Sequence, residues 1–205
     1  MLIDLRYLIT KYQLHINDVL HIGAHHLEER SIYTQNKIPK VIWVEANPEL
    51  TAAMKHQFPN EIIYNNCMGS VDNAVHEFYI TNNGQSSSLL KLHDHLTMYP
   101  HITETKKINV FTLTLDTFAK KHLDELANVN CINLDIQGSE LDVLRHGTEF
   151  LKQIDYIYTE INTREMYKGC GLFDQLSLFL QEQGFKCVEY KLVDGGWGDA
   201  LYIRG

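Results

Sequence analysis

The stretch NLDIQGSELDVLRHG, residues 133–147, decides how this chain is read. An apolar run ends in Asp135, the chain turns at Gly138, and a helical pattern begins whose first turn carries Glu140 and Asp142. A carboxylate thus stands at the carboxyl end of a buried strand, where open α/β sheets bind their ligands. A second strand end lies in VLHIGAHHLEE, residues 19–29, with Gly23 and Ala24, small residues that let a turn lie against a ligand.

Outward from these stretches, short apolar runs alternate with helical patterns, the signature of βαβ units around a mostly parallel sheet. Strands are expected at 18–24, 40–46, 61–65, 129–136 and 155–161, and the alternating VHEFYI of 75–80 reads as a half-exposed antiparallel strand. After the second strand Asn47 caps a helix, Pro48 takes its first position and Glu49 suits its positive end. Ser139 is expected to cap the helix after Asp135 and Gly147 to end it; Gly184 is expected to stop a helix whose Leu172, Leu176, Phe179 and Leu180 share a face. The segment FKCVEYKLVDGGWGDALYIRG reads as two strands joined by a glycine-rich turn, with Trp197 under the antiparallel edge. Residues 1–16 read as an amphipathic helix and not as a signal peptide. The polar stretch 81–105 is long for a connection, which suggests a substrate loop or lid. The expected architecture is a single α/β domain over 1–205, a Rossmann-like doubly wound sheet, mostly parallel with an antiparallel C-terminal strand.

At 44% hydrophobic and 21% charged, the 205 residues have the composition of an ordinary globular protein. A net charge of -8 without a basic stretch argues against a nucleic-acid partner and leaves a neutral or cationic ligand easier to accept. No apolar run approaches the roughly 20 residues of a membrane span, so no membrane partner is expected and a cytoplasmic location is. Cys67, Cys131, Cys170 and Cys187 are widely spaced, which suggests neither a zinc knuckle nor a disulfide framework. Oligomeric state is left open.

Six stretches, HIGAHHLEE (21–29), WVEANPE (43–49), SSL (87–89), TLD (114–116), NLDIQGSELDVLRHG (133–147) and YTEIN (158–162), resemble in this order the motifs of the FkbM family of class I O-methyltransferases. The resemblance implies S-adenosylmethionine as cofactor and, as acceptor, a hydroxyl of a sugar, glycan or related small natural product. Two positions depart from the family pattern. His21 stands where the family has an acid, and Leu27 where it has a glycine, which makes the loop bulkier and shifts cofactor binding onto other residues.

S-adenosylmethionine requires a close backbone approach, a carboxylate for the ribose diol and groups for the amino-acid tail. Glu45 ends the second strand about 20 residues after the glycine turn, where Rossmann-type sites place the ribose acid; the bland alternative is a surface carboxylate beside a helix. The resemblance implies that Asn66, Cys67 and Met68 flank the adenine, although the residues alone would make Cys67 and Met68 core. It also brings His21, Gly23, Ala24, His25, Glu28, Ala46, Asn47, Ile136, Gln137 and Glu140 to the cofactor. Ser87 and Ser88 either reach the cofactor tail or acceptor, or are solvated. Asp135 holds the cofactor ammonium, a metal or the attacking hydroxyl, or else caps the amides of the Gln137 to Ser139 turn. An aliphatic hydroxyl needs a base or a metal to become a nucleophile, and the base candidates are Asp135, Glu160, His25 and His26. Asp135, Glu160 and Asn162 also resemble an oxygen set for Mg²⁺ or another divalent cation. His93, His95 and His101 read as a solvated loop in preference to a zinc site. Two rivals stand beside this reading. A nicotinamide-dependent oxidoreductase is disfavoured because GAHHLE lacks the GxGxxG spacing, and a catalytically silent cofactor-binding relative is suggested by His21 and Leu27.

Overall fold

A computed structural model describes residues 1–205. The first half comprises α1 (Leu5–Tyr12), β1 (Asp18–Ile22), α2 (Arg30–Gln35), β2 (Lys40–Glu45), α3 (Pro48–Gln57), β3 (Ile62–Asn65), β4 (Cys67–Met68), β5 (Val75–Thr81) and α4 (Asp94–Met98). There follow β6 (Glu104–Leu113), α5 (Leu115–Lys121), α6 (Leu123–Leu126), β7 (Val129–Leu134), α7 (Glu140–Arg145), α8 (Thr148–Leu151), β8 (Tyr156–Asn162), α9 (Phe173–Glu182), β9 (Phe185–Leu192) and β10 (Trp197–Arg204).

Seven strands form one sheet in the order β3-β2-β1-β7-β8-β10-β9. The first five run parallel, and β10 pairs antiparallel with both β8 and β9. The chain leaves β1 toward β2 and β3 on one side and returns to β7 on the other, so a topological switch point lies between the carboxyl ends of β1 and β7. A smaller sheet, β4-β6-β5, has β5 antiparallel to β6, as expected of 75–80, although burial along β5 does not alternate: Val75 is exposed while the neighbours Phe78 and Tyr79 are both buried. Asn47 caps α3 with Pro48 at its start, as expected.

Register decides where the strand ends fall. Ile22 pairs with Val44 of β2 and with Leu134 of β7, so the residues that follow, Gly23, Glu45 and Asp135, leave the sheet at one level. Period-two alternation sends Leu20, Ile22, Val44, Ile132 and Leu134 into one core layer, and Val19, Trp43, Cys131, Tyr158 and Leu201 into the other. Leu141, Leu144, Leu176 and Leu180 of α7 and α9 cover the first layer, while Leu5 and Leu8 of α1 cover the second. All five residues of β1 are buried, as a central strand covered on both faces must be.

Some local details differ from expectation. Within 1–16 only Leu5–Tyr12 is helical, because Asp4 caps that turn by accepting from the Arg6 amide at 2.8 Å while the amides of Leu2 and Ile3 donate to Asp199. The stretch 81–105 is built, not free: Ser88 bridges Tyr79, α4 forms within it, and Leu92 and His95 are buried. Ser139 makes no cap bond. Gly147 lies past the end of α7 at Arg145, and close packing demands it, since a Cβ there would lie 2.5 Å from Leu115. Trp197 opens β10, and its indole N–H donates to the Tyr99 hydroxyl at 2.8 Å instead of the ring lying under the sheet edge. No helix is long and apolar enough to cross a membrane.

Gly23 has φ +92°, and a Cβ there would lie 1.8 Å from the Asp135 carbonyl oxygen. The neighbouring strand end therefore demands glycine before any ligand does. Gly23→Ala is expected to destabilise the fold by about 2–4 kcal/mol through strained φ and backbone clash together. Urea denaturation checks this, and a midpoint equal to the parent's contradicts it.

Candidate functional site

The loop after β1 takes left-handed backbone at His25 (φ +41°) and Leu27 (φ +58°). The bulk anticipated at Leu27 does not crowd a ligand: its side chain is 3% exposed and packs into the second core layer. That burial offsets the roughly 1–2 kcal/mol that left-handed backbone costs a non-glycine residue. Ala24 turns into the same layer and lines neither cleft at the strand ends. His21 is buried with its ring 4.7 Å from that of Trp43 and its Nδ1 2.9 Å from the Tyr33 hydroxyl. Burial lowers its pKa, so it stands neutral where the family has an acid.

Glu45 joins two loops. Its Oε2 accepts from the His25 amide at 2.9 Å and its Oε1 from the Asn47 amide at 2.7 Å. Burial raises its pKa, and those amide bonds oppose the rise. A carboxylate has about four acceptor positions, so this one retains capacity for a ligand. The surface-carboxylate alternative is excluded, since Glu45 is 7% exposed.

At the end of β7 the alternative role for Asp135 belongs to another residue. The Glu140 carboxylate caps the turn, accepting from the Ile136 amide at 2.9 Å and the Gly138 amide at 3.0 Å. Asp135 is thereby released from structural duty and accepts only from the Gln137 side-chain amide, at 2.6 Å. That amide also donates to Glu160, while the Gln137 side-chain oxygen accepts from the Tyr167 hydroxyl and its carbonyl from Ser88 at 2.8 Å. Burial, reinforced by Asp135, pushes Glu140 up to about 7. Burial, with the neighbouring charges of Asp135 and Glu140, raises Glu160 far above the usual carboxylate range. A carboxyl held protonated in this way is no base.

The remaining base candidates fare differently. His25 loses basicity to burial but regains more from the Glu28 carboxylate 2.6 Å from its Nδ1, which is itself lowered to about 2. His26 is exposed and lines neither of the two clefts at the strand ends. The oxygen set of Asp135, Glu160 and Asn162 does not fit a divalent cation: the Gln137 N–H group stands between the two carboxyls, and no group of three His, Cys, Asp or Glu side chains is placed to hold a metal. His93 and His101 are exposed and His95 is buried, so they form no zinc cluster.

Two clefts adjoin at Gly23, His25, Gln85, Asp135 and Gln137. The first, about 590 Å³ with its open mouth included, lies between Glu45, Ala46, Asn47, Asn66, Cys67, Met68, Ser87 and Ile136. The second, about 1120 Å³, is bounded by His21, Glu28, Glu160 and Asn162, by Asn83, Tyr99, Tyr167 and Trp197, which the sequence did not bring to a site, and by His95, which it read as part of a solvated loop. Ser88 and Glu140 line neither, being committed to the loop clasp and the turn. No lysine or arginine lines either cleft, whereas Glu28, Glu29, Glu45, Asp135 and Glu160 do. A nicotinamide dinucleotide would set its pyrophosphate against these carboxylates with no lysine or arginine to hold it, which weighs against the oxidoreductase rival.

The sequence matches the model of the methyltransferase FkbM domain over residues 21–187. The chain belongs to the FkbM methyltransferase family. This FkbM-family chain is also 33% identical over 84 residues to the 2-O-methyltransferase NoeI of Sinorhizobium fredii (strain NBRC 101917 / NGR234), a match spanning 41% of the chain and 34% of that relative. Its fold is similar to that of magnesium protoporphyrin IX methyltransferase from Synechocystis PCC 6803 with bound SAM, at TM-score 0.53 and 7% identity, over 98% of this chain and 76% of that one. It is similar too to a TehB-like SAM-dependent methyltransferase from Corynebacterium glutamicum, at TM-score 0.50 and 11% identity, over 100% and 89% of the two chains.

The two carboxylates of the family motif should separate in stability measurements. Glu140→Ala strands buried amides and is expected to cost about 2–4 kcal/mol, with Glu140→Gln milder. Asp135→Asn removes a charge from beside Glu140 and Glu160 and should leave the ligand-free fold as stable or more so. Equal losses in both variants on urea denaturation would refute this division.

Proposed function

We propose that the protein transfers the methyl group of S-adenosylmethionine to a hydroxyl of a neutral sugar, glycan or related small molecule. The nucleoside occupies the first cleft and the acceptor the second. The observation that carries this reading is the pair of joined clefts at the switch point, rich in carboxylates and free of lysine and arginine, which suits a cofactor bearing a sulfonium and an ammonium. The same charge pattern disfavours a phosphate-rich acceptor such as RNA.

Each group has work that matches its setting. Glu45 uses its unengaged acceptor capacity for the ribose diol, with Val44, Leu50, Met68 and Phe78 giving the adenine apolar walls. Asp135, at the junction, faces the cofactor's cationic tail. In the second cleft Tyr99 and Trp197 supply aromatic surface for the apolar side of a sugar, and the buried, unpartnered Oδ1 of Asn162 accepts from a sugar hydroxyl. Residues 81–105 act as the lid: Gly84 lies against His25, and Ser88 clasps Gln137. Held in place, this cover excludes water and aligns acceptor oxygen with methyl group, which is where methyl transfer gains most of its rate. Support for a hydroxyl acceptor comes from the name of the partial relative, a 2-O-methyltransferase.

Calorimetry with S-adenosylmethionine against NAD, followed by mass detection of methylated products from a panel of methyl glycosides, tests the proposal. Binding of NAD alone, or no product from any glycoside, rejects it. Glu45→Ala should weaken cofactor binding by about 1.5–3 kcal/mol, the worth of a charged hydrogen bond, and Asp135→Ala should abolish turnover.

Cofactor binding should also depend on pH. Glu160 is raised and so protonated in the free protein at neutral pH; a cation arriving beside it favours the ionised form, so binding expels a proton and affinity rises with pH. Calorimetry in buffers of different ionisation enthalpy reads that proton directly. Affinity that is flat or falls with pH would separate the carboxyl cluster from the cofactor.

A further inference from the structure

We propose that His95 is the catalytic base, the group that receives the acceptor's hydroxyl proton; this rests on the reading of the second cleft as the acceptor site. His95 lies in α4, inside the polar stretch 81–105, yet it is only 6% exposed and forms part of the wall of the second cleft with Asp135 and Glu160. Its ring is held by packing between Tyr99, at 5.1 Å, and Tyr167, at 5.6 Å. The backbone on either side is fixed, the His95 amide donating to the Met166 carbonyl and the His95 carbonyl accepting from the Tyr99 amide at 2.8 Å. Within this rigid seat the Nδ1 atom is enclosed and has no hydrogen-bond partner. Buried ring nitrogens are rarely left so, and an imidazole oriented without a protein partner is what a proton acceptor for a bound ligand requires.

The alternatives in the same cleft are engaged. Glu160 accepts from the side-chain amides of Gln137 and Asn162, His25 is paired with Glu28, and Asp135 is bonded to Gln137 and faces the cationic tail. Tyr99 and Tyr167 pack against the His95 ring and His101 acts on it from the α4 side, while Glu160 and Asp135 line the same cleft. Burial lowers the His95 pKa, its own backbone carbonyl raises it and His101 lowers it, with a net fall that keeps the ring neutral and ready at neutral pH. In the step itself a lone pair of the acceptor oxygen forms the new O–C bond as the S–C bond breaks. The electron pair of that bond stays on sulfur, which becomes a neutral thioether, and the hydroxyl proton passes to His95 and then to water.

The test compares the full chain with His95→Gln and His95→Ala, using S-adenosylmethionine and the methyl glycoside best methylated by the parent. Expected are a kcat loss of about 10²–10⁴-fold, cofactor Kd unchanged by calorimetry, loss of the rising acid limb of the kcat–pH profile, and recovery of His95→Ala by added imidazole. A kcat within about threefold of the parent, or a loss that leaves the pH limb intact and is not restored by imidazole, overturns the assignment. If both variants fail to fold, ring-labelled histidine NMR on the parent decides: a His95 ring neutral at neutral pH and shifted by the glycoside supports the role, and a protonated or unresponsive ring overturns it. A parent that binds S-adenosylmethionine but methylates no glycoside removes the acceptor reading and this assignment with it, whereas an active parent beside equally active variants removes the base alone.

Discussion

The close approach of β1 and β7 at Gly23 is the contact on which the site depends. A missing Cβ lets the Asp135 carbonyl occupy the space a side chain would fill, and the paired register of Ile22 with Val44 and Leu134 brings three strand ends to one level. Glu45 then fastens the loop after β1 to the start of α3 through the His25 and Asn47 amides. One glycine and one buried carboxylate thus position three loops that have no local reason to meet.

What gathers beyond that contact does not serve stability. Burial, reinforced by Asp135, raises the proton affinity of Glu140 and Glu160, and no lysine or arginine lines the clefts. Such a cluster persists because the sheet places its members regardless of their mutual repulsion, a strain characteristic of functional sites. Within it the work is divided. Glu140 holds the turn, Gln137 links Asp135 to Glu160 and Tyr167, and Asp135 faces the cleft junction.

Much of this was legible residue by residue. The strands around Leu20, Val44 and Ile132 announce themselves by apolar runs, α3 by Asn47 and Pro48, and the strand-end acids by their position. Less legible was the turn after β7, where Ser139 has the usual chemistry of a cap but the buried Glu140 reaches the amides instead. Leu27 reads as an obstruction because its chain position gives its distance from the turn but not its direction. His95, Tyr99, Tyr167 and Trp197 come from three distant segments, none with a periodic signal, and meet only because α4 and the segment after β8 lie against the start of β10.

From its residues alone, this chain determined its alternation of strands and helices, the family it belongs to, and the carboxylates and glycine at the strand ends, because hydrophobic period and turn chemistry act between neighbours in the chain. Tertiary structure alone decided which carboxylate is bound to backbone and which is free, where Leu27 hides its bulk, and that an unpartnered imidazole lines a second cleft. Those outcomes depend on burial and on partners brought together through space, which no local pattern encodes.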